Sequence, residues 1–131
     1  MTQKVNIAKI LETLLNDHSV AVDEIADQYF SPCYRQRTNG RWDDRTEFIK
    51  HLHKLREVVS SAKIEVIEEL QQANLYADRH LVTAVKKDGS VTTQEVYLFA
   101  ELDDQGRFVR VEETTLMLQG TEHDKKLGSI K

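Results

Sequence analysis

The stretch from Val91 to Leu118, VTTQEVYLFAELDDQGRFVRVEETTLML, constrains the fold more than any other part of the chain. Two arms rich in Val, Tyr, Phe and Thr flank Asp103-Asp104-Gln105-Gly106. The arm residues suit a pleated, half-buried surface and the residues between them tolerate positive φ, so the stretch is a long β-hairpin. A turn pairing Leu102 with Arg107 sets Ala100 opposite Val109, Leu98 opposite Val111 and Val96 opposite Glu113. A second turn at Lys87–Ser90, pairing Lys86 with Val91, sets Leu81 beside Val96, Arg79 beside Leu98 and Thr83 beside Gln94.

Side chains alternate along strands. One face of the predicted sheet therefore carries Val96, Leu98, Ala100, Leu81, Val109, Val111 and Met117, with Arg79, Gln94 and Glu113 among them. The other carries His80, Tyr97, Glu112, Phe99, Phe108 and Arg110. The first face is the more apolar and is assigned to the interior. Glu113 then sits inside, where desolvation raises its pKa and Arg79 lowers it. An acid in an apolar cavity is a candidate catalytic residue; a purely structural ion pair with Arg79 is the alternative.

Upstream, Ile7, Ile10, Leu11, Leu14 and Leu15 mark one face of a helix over residues 4–16. Val22, Ile25, Ala26, Tyr29 and Phe30 mark a second, stopped by Ser31-Pro32. Asn39-Gly40 is a turn entered by a short strand. Asp44-Arg45-Thr46-Glu47 reads as a capping box opening a third helix over residues 45–59. Leu75–Lys86 is a strand, and Asp88-Gly89 marks the turn after it. Residues 62–72 fit either a helical face or a strand. Runs of helix followed by runs of strand, without alternation, argue for an α+β fold with an antiparallel sheet.

The 131 residues suit one domain, with no apolar run of membrane-spanning length. The acids and Asn near the N-terminus do not read as a signal peptide. A net charge of −4 argues against nucleic acid or an acidic membrane as partner. Cys33 is the single cysteine, which excludes an internal disulfide and fits a reducing, cytoplasmic setting. No zinc signature or phosphate loop is present, so no cofactor is expected. His51 and His53, two apart on a helix, point different ways. Cys33 reads as a small buried hydrophobe, Asp43-Asp44 as a helix cap and Asp103-Asp104 as turn chemistry. Trp42 and Tyr29 suit the wall of a pocket mouth; Arg35 and Arg37 suit an anionic ligand or a solvated strand edge.

The chain resembles SnoaL-like members of the nuclear transport factor two and ketosteroid isomerase superfamily. The residues that carry the resemblance are Asp27-Gln28-Tyr29-Phe30, Tyr34-Arg35-Gln36-Arg37-Thr38, Gly40 ahead of Asp44–Ile49, and Asp104–Glu113, similar to a "DGKIxxxxE/D" ending. The resemblance covers roughly Ile7 to Leu118, within a single domain over residues 1–118; Gln119 onward is polar, with Gly120 and Gly128, so 119–131 reads as a flexible, frayed tail. The implied architecture is a curved antiparallel sheet wrapped around N-terminal helices in a cone-shaped barrel, or cystatin-like roll, and it makes 62–72 a strand. It implies a pocket for a small apolar molecule, with Glu113 where the cyclases carry their acid or base. Tyr29, Tyr34, Arg37, Trp42, Arg79 and Gln94 are the candidate ligand-binding residues. The family's early strand often reads Tyr-x-Gln-His-Asn; Arg37 here replaces the His and is a poor proton shuttle. Homodimers through the sheet are common in the superfamily, and Tyr97, Phe99 and Phe108 would suit such an interface. Three functions follow as expectations: small-molecule binding, acid–base catalysis of the isomerase, dehydratase or cyclase type, and protein interaction through the outer sheet face.

Overall fold

Two of the three α-helices among the described residues start on a side-chain cap. In the computed structural model, which describes residues 4–131, α1 (Ile7–Asn16) begins later than its hydrophobic spacing suggests, because the Asn6 side chain accepts the Lys9 N–H as an N-cap. α2 (Val22–Tyr29) runs directly into strand β1 (Phe30–Thr38). Pro32 falls where β1 loses regular pairing, between Phe30 and Arg35, so its missing N–H breaks no ladder there. β1 is longer than the predicted short strand and turns at Asn39-Gly40 into β2 (Arg41–Asp44). α3 (Arg45–Val58) opens on the predicted capping box: Asp44 accepts from the Glu47 N–H and Glu47 from the Asp44 N–H.

Carbonyls at the end of α1 and in the turn after it are satisfied from α3. Arg56 donates to the Leu14, Val20 and Asp17 oxygens. Asn16 pairs both ways with the Ala62 backbone, at 2.8 and 2.6 Å, and pins the helix to an edge strand.

Four long strands follow: β3 (Val59–Gln72), β4 (Leu75–Lys86), β5 (Val91–Leu102) and β6 (Phe108–Gln119). Residues 62–72 are thus strand. The sheet order is β2-β1-β6-β5-β4-β3, an unclosed curved sheet. It is mixed and not wholly antiparallel, since β1 runs parallel to β6. The helices pack on its concave side, α1 across β3 and α3 against β1. The narrow end is filled by Phe30, Tyr34, Phe48 and Phe108, with ring centroids 4.6–5.5 Å apart.

The two central hairpins use the same turn, and it differs from the one assumed from sequence. Lys86 N–H donates to Ser90 O and Asp103 N–H to Arg107 O, closing three-residue loops with Gly89 and Gly106 at φ 89° and 79°. Val85 therefore faces Val91, one residue away from the predicted pairing, and the whole of β4 is turned over. His80 faces inward and Arg79 outward, the reverse of expectation. In the second hairpin a bulge absorbs Val109, so Leu102 faces Phe108 while Leu98 faces Glu113. The two slips add to two residues and preserve the parity of β6: Val111 and Glu113 stay inward. Phe108, expected outside, is buried by the bulge.

The polar end of the chain does not read as a frayed tail. Glu122–Lys126 form a 3-10 turn, η1, folded back on the sheet. The buried Asp124 carboxylate accepts from Lys86 at 2.5 Å and from the Thr121 N–H at 2.9 Å, while its backbone carbonyl accepts from Gln94. The Lys131 ammonium lies 2.9 Å from Asp43.

Candidate functional site

Between α1, α3 and the concave sheet lies a cavity of about 150 Å³. Its wall is mostly apolar, with Leu11, Leu52, Val82 and Leu98 typical. The C-terminal segment contributes Leu127 and Gly128 and covers one side. A few polar groups converge on this space, most of them from inward-facing strand positions.

The first group is a directed hydrogen-bond chain on β1 and β6. Tyr34 OH donates to Gln36 Oε1 at 2.6 Å. That fixes the amide, so Gln36 Nε2 donates to Thr38 Oγ1 at 2.9 Å. The Thr38 hydroxyl and Gln36 Nε2 both reach Glu113 Oε1, each at 3.5 Å. These long contacts stabilise the carboxylate weakly, and Oε2 accepts no hydrogen bond among the described residues. Burial pushes the Glu113 carboxyl up to about 7 from the usual 4.5, opposed by attraction to His80 and by the Thr38 hydrogen bond. Burial and the Glu113 charge also hold the Tyr34 phenol well above its ordinary range.

The second group is on β4. His80 Nδ1 lies 2.6 Å from Asp78 Oδ1, both residues buried. A carboxylate only accepts, so Nδ1 carries the hydrogen and donates to Asp78. Asp78 Oδ2 in turn accepts from Tyr76 OH at 2.8 Å. A cavity wall thus holds a carboxyl that titrates near neutrality and an imidazole oriented by a second carboxylate. A carboxyl and an oriented imidazole are the residue types that general acid–base chemistry uses.

His51, on α3, also reaches the cavity and donates from Nδ1 to Ile130 O at 2.6 Å. Burial lowers its pKa, opposed by the hydrogen bond to Ile130. His53 points away, 3.8 Å from Asp23 at the surface. Among the described residues no three His, Cys, Asp or Glu converge as metal ligands.

Of the residues singled out from sequence, Glu113, Tyr34 and Gln94 line the cavity. Arg79 does not: it pairs outside with Glu68 at 2.7 Å and Glu95 at 3.5 Å. Arg37 is exposed and pairs with Glu112. Trp42 is exposed under the Arg35 guanidinium, 4.7 Å from its ring. Tyr29 is half-buried beside a shallow outer groove. Cys33, read as buried, is exposed. Sequence reasoning missed His80, Asp78 and Gln36. The alternation Tyr76, Asp78, His80, Val82, Ala84 was there to be read once β4 was turned over, and Gln36 shares its parity with Tyr34.

No family model matches the chain. It is 30% identical over 115 residues to the uncharacterized protein C11D3.04c of Schizosaccharomyces pombe, covering 88% of this chain and 87% of that one. Among solved structures it is similar to an NTF2-like protein of unknown function from Exiguobacterium sp. 255-15, with TM-score 0.67, 16% identity, and 85% and 98% of the two chains covered. It is also similar to a SnoaL-like family protein of Agrobacterium tumefaciens str. C58, with TM-score 0.60, 12% identity, and 84% and 94% covered. At these identities the structural likenesses establish the fold.

Proposed function

This chain belongs to the family of Schizosaccharomyces pombe C11D3.04c and has the NTF2-like fold, and on that footing we propose that its cavity binds a small, largely apolar molecule and exchanges a proton with it through Glu113. One observation carries the reading: a carboxyl with a pKa of about 7 opens into an apolar cavity with one oxygen unengaged. A base poised near the working pH is what abstraction of a proton beside a carbonyl requires. His80, oriented by Asp78, stands ready to receive or return the proton, as an isomerase or cyclase step demands. Size limits the ligand. A space of about 150 Å³ suits one ring, since an engineered apolar cavity of about that volume accepts benzene.

The test is hydrogen–deuterium exchange at the α-carbons of cyclohexanone in D₂O, followed by NMR. The protein should accelerate exchange, and Glu113→Gln should lose about 10²-fold or more of the acceleration. A fused three-ring ketone should gain nothing. Equal exchange with and without the protein would sink the reading.

A second reading concerns the outer face. Phe99 is 67% and Tyr97 43% exposed, with Leu116 and Leu118 continuing the patch on β6. We propose that this face pairs two copies of the chain. Sedimentation equilibrium at micromolar concentration should give twice the 15.1 kDa chain mass, and Phe99→Glu should halve it; a monomer throughout would refute the proposal. The free, exposed Cys33 suits the reducing cytoplasm, where we place the protein.

A further inference from the structure

Behind His80 the hydrogen-bond chain continues out of the cavity. Tyr76 OH lies 2.8 Å from Asp78 Oδ2 and 3.1 Å from Glu69 Oε2. A phenol has one hydrogen and two carboxylates here compete for it. The competition exists because of a bulge in β3. From Ala62 to Val66, even-numbered residues of β3 face inward, with Val66 opposite His80; the bulge between Val66 and Glu68 then puts Glu69, not Glu68, opposite Asp78. Glu68 is left outside with Arg79. Glu69 itself reaches the surface, where its side chain is 35% exposed and 4.0 Å from Lys4. Buried at one end and wet at the other, the series Glu69–Tyr76–Asp78–His80 crosses the wall of the cone.

We propose that Tyr76 and Glu69 are positioning residues for His80: the share of the Tyr76 hydrogen given to Asp78 sets how much negative charge Asp78 presents to the imidazole, and so how readily the ring holds a proton. When Tyr76 donates to Asp78, that charge is partly used and the ring is less basic. When it donates to Glu69, Asp78 is freed and the ring is more basic. Among the described residues the ionisable groups that share the cavity with His80 are Glu113 from β6, Tyr34 from β1 and His51 from α3; its register neighbours Val66 and Val96 are apolar. The inference deepens the reading of the cavity as a proton-transfer site, since it names what tunes the second proton carrier. Its test does not depend on that reading, because it observes His80 in the ligand-free protein.

The experiment is an NMR titration of the His80 ring, assigned by its absence in His80→Gln. It is run in the native chain and again in a Glu113→Gln background, which removes the second cavity titration. Tyr76→Phe deletes the hydroxyl without changing charge and should raise the His80 midpoint by about half a pH unit or more, roughly threefold in protonation constant. Glu69→Gln weakens the competing acceptor and should lower it. These opposite signs are the signature, since a residue that merely fills space would move neither. An unchanged midpoint in Glu69→Gln, whose partly exposed side chain can be replaced without loss of fold, overturns the proposal even if Tyr76→Phe does not fold. A downward shift in folded Tyr76→Phe overturns it too. Failure of ketone exchange alongside both shifts would reject the catalytic reading and leave this one standing.

Discussion

Glu113→Gln is expected to make the protein more stable than the native chain at pH 8, by up to about 3 kcal/mol. The reasoning is linkage. The folded protein holds a proton on Glu113 up to a pH of about 7, whereas the ordinary value is 4.5. Between those values the folded state binds a proton that the unfolded state has released, so stability falls as pH rises. The loss begins near the unfolded value and is complete above the folded one, with each pKa unit worth about 1.4 kcal/mol. Gln cannot ionise and escapes the loss. Its carbonyl can still accept from Gln36 and Thr38, so the fold should be kept. Thermal unfolding followed from pH 4 to pH 8 should show the two proteins alike at the acid end and diverging above it, by roughly 10 °C at pH 8. Parallel curves would mean that Glu113 is ordinarily solvated, and the proton-transfer reading would fall with it. Higher stability together with lost exchange activity would mark Glu113 as a group kept at a cost to the fold.

Phe30→Ala is the second large effect. Phe30 is buried at the junction of α2 and β1, with ring centroids 4.8 Å from Tyr34, 4.7 Å from Phe48 and 5.5 Å from Phe108. Truncating a packed core aromatic costs roughly 3–5 kcal/mol, from lost transfer energy and the void left behind. Aromatic neighbours at these separations add to the loss. Because Phe30 also lines the cavity, the void joins existing space. Urea unfolding should show a midpoint shift of that size at constant slope. Benzene, added at saturation, should restore more stability to the variant than to the native chain. A midpoint unchanged by the substitution would contradict the packing described here.

How far sequence reached into this molecule follows from what each residue type reports. Helical spacing and caps are local, so α2 and α3 were readable nearly to the residue, and Asp44 and Glu47 announced their own helix start. Glu113 was legible for a weaker reason. Two errors on the second hairpin, a longer loop and a bulge at Val109, cancelled in parity. The first hairpin had the same loop without a bulge, and the single slip exchanged Arg79 for His80. Nothing in Lys86–Val91 distinguishes the two closures by composition; the choice rests on Gly89 adopting positive φ at the third loop position. The inward pair Asp78 and His80 was therefore hidden by one residue of register. The C-terminal segment was misread because polarity was taken for solvation. Asp124 is polar and buried because Lys86 and the Thr121 N–H meet it there.

That segment changes what a binding measurement on this protein would look like. The wall formed by Leu127 and Gly128 is tied down by carbonyls that accept from Gln94 and His51, two side chains of the cavity itself. A molecule entering on that side must wait for these ties to part, and one leaving must wait again. Arrival and departure then share one slow step, so a modest affinity would coexist with a long residence time, and equilibration by a tight or a weak ligand alike would run at the pace of the protein's own opening.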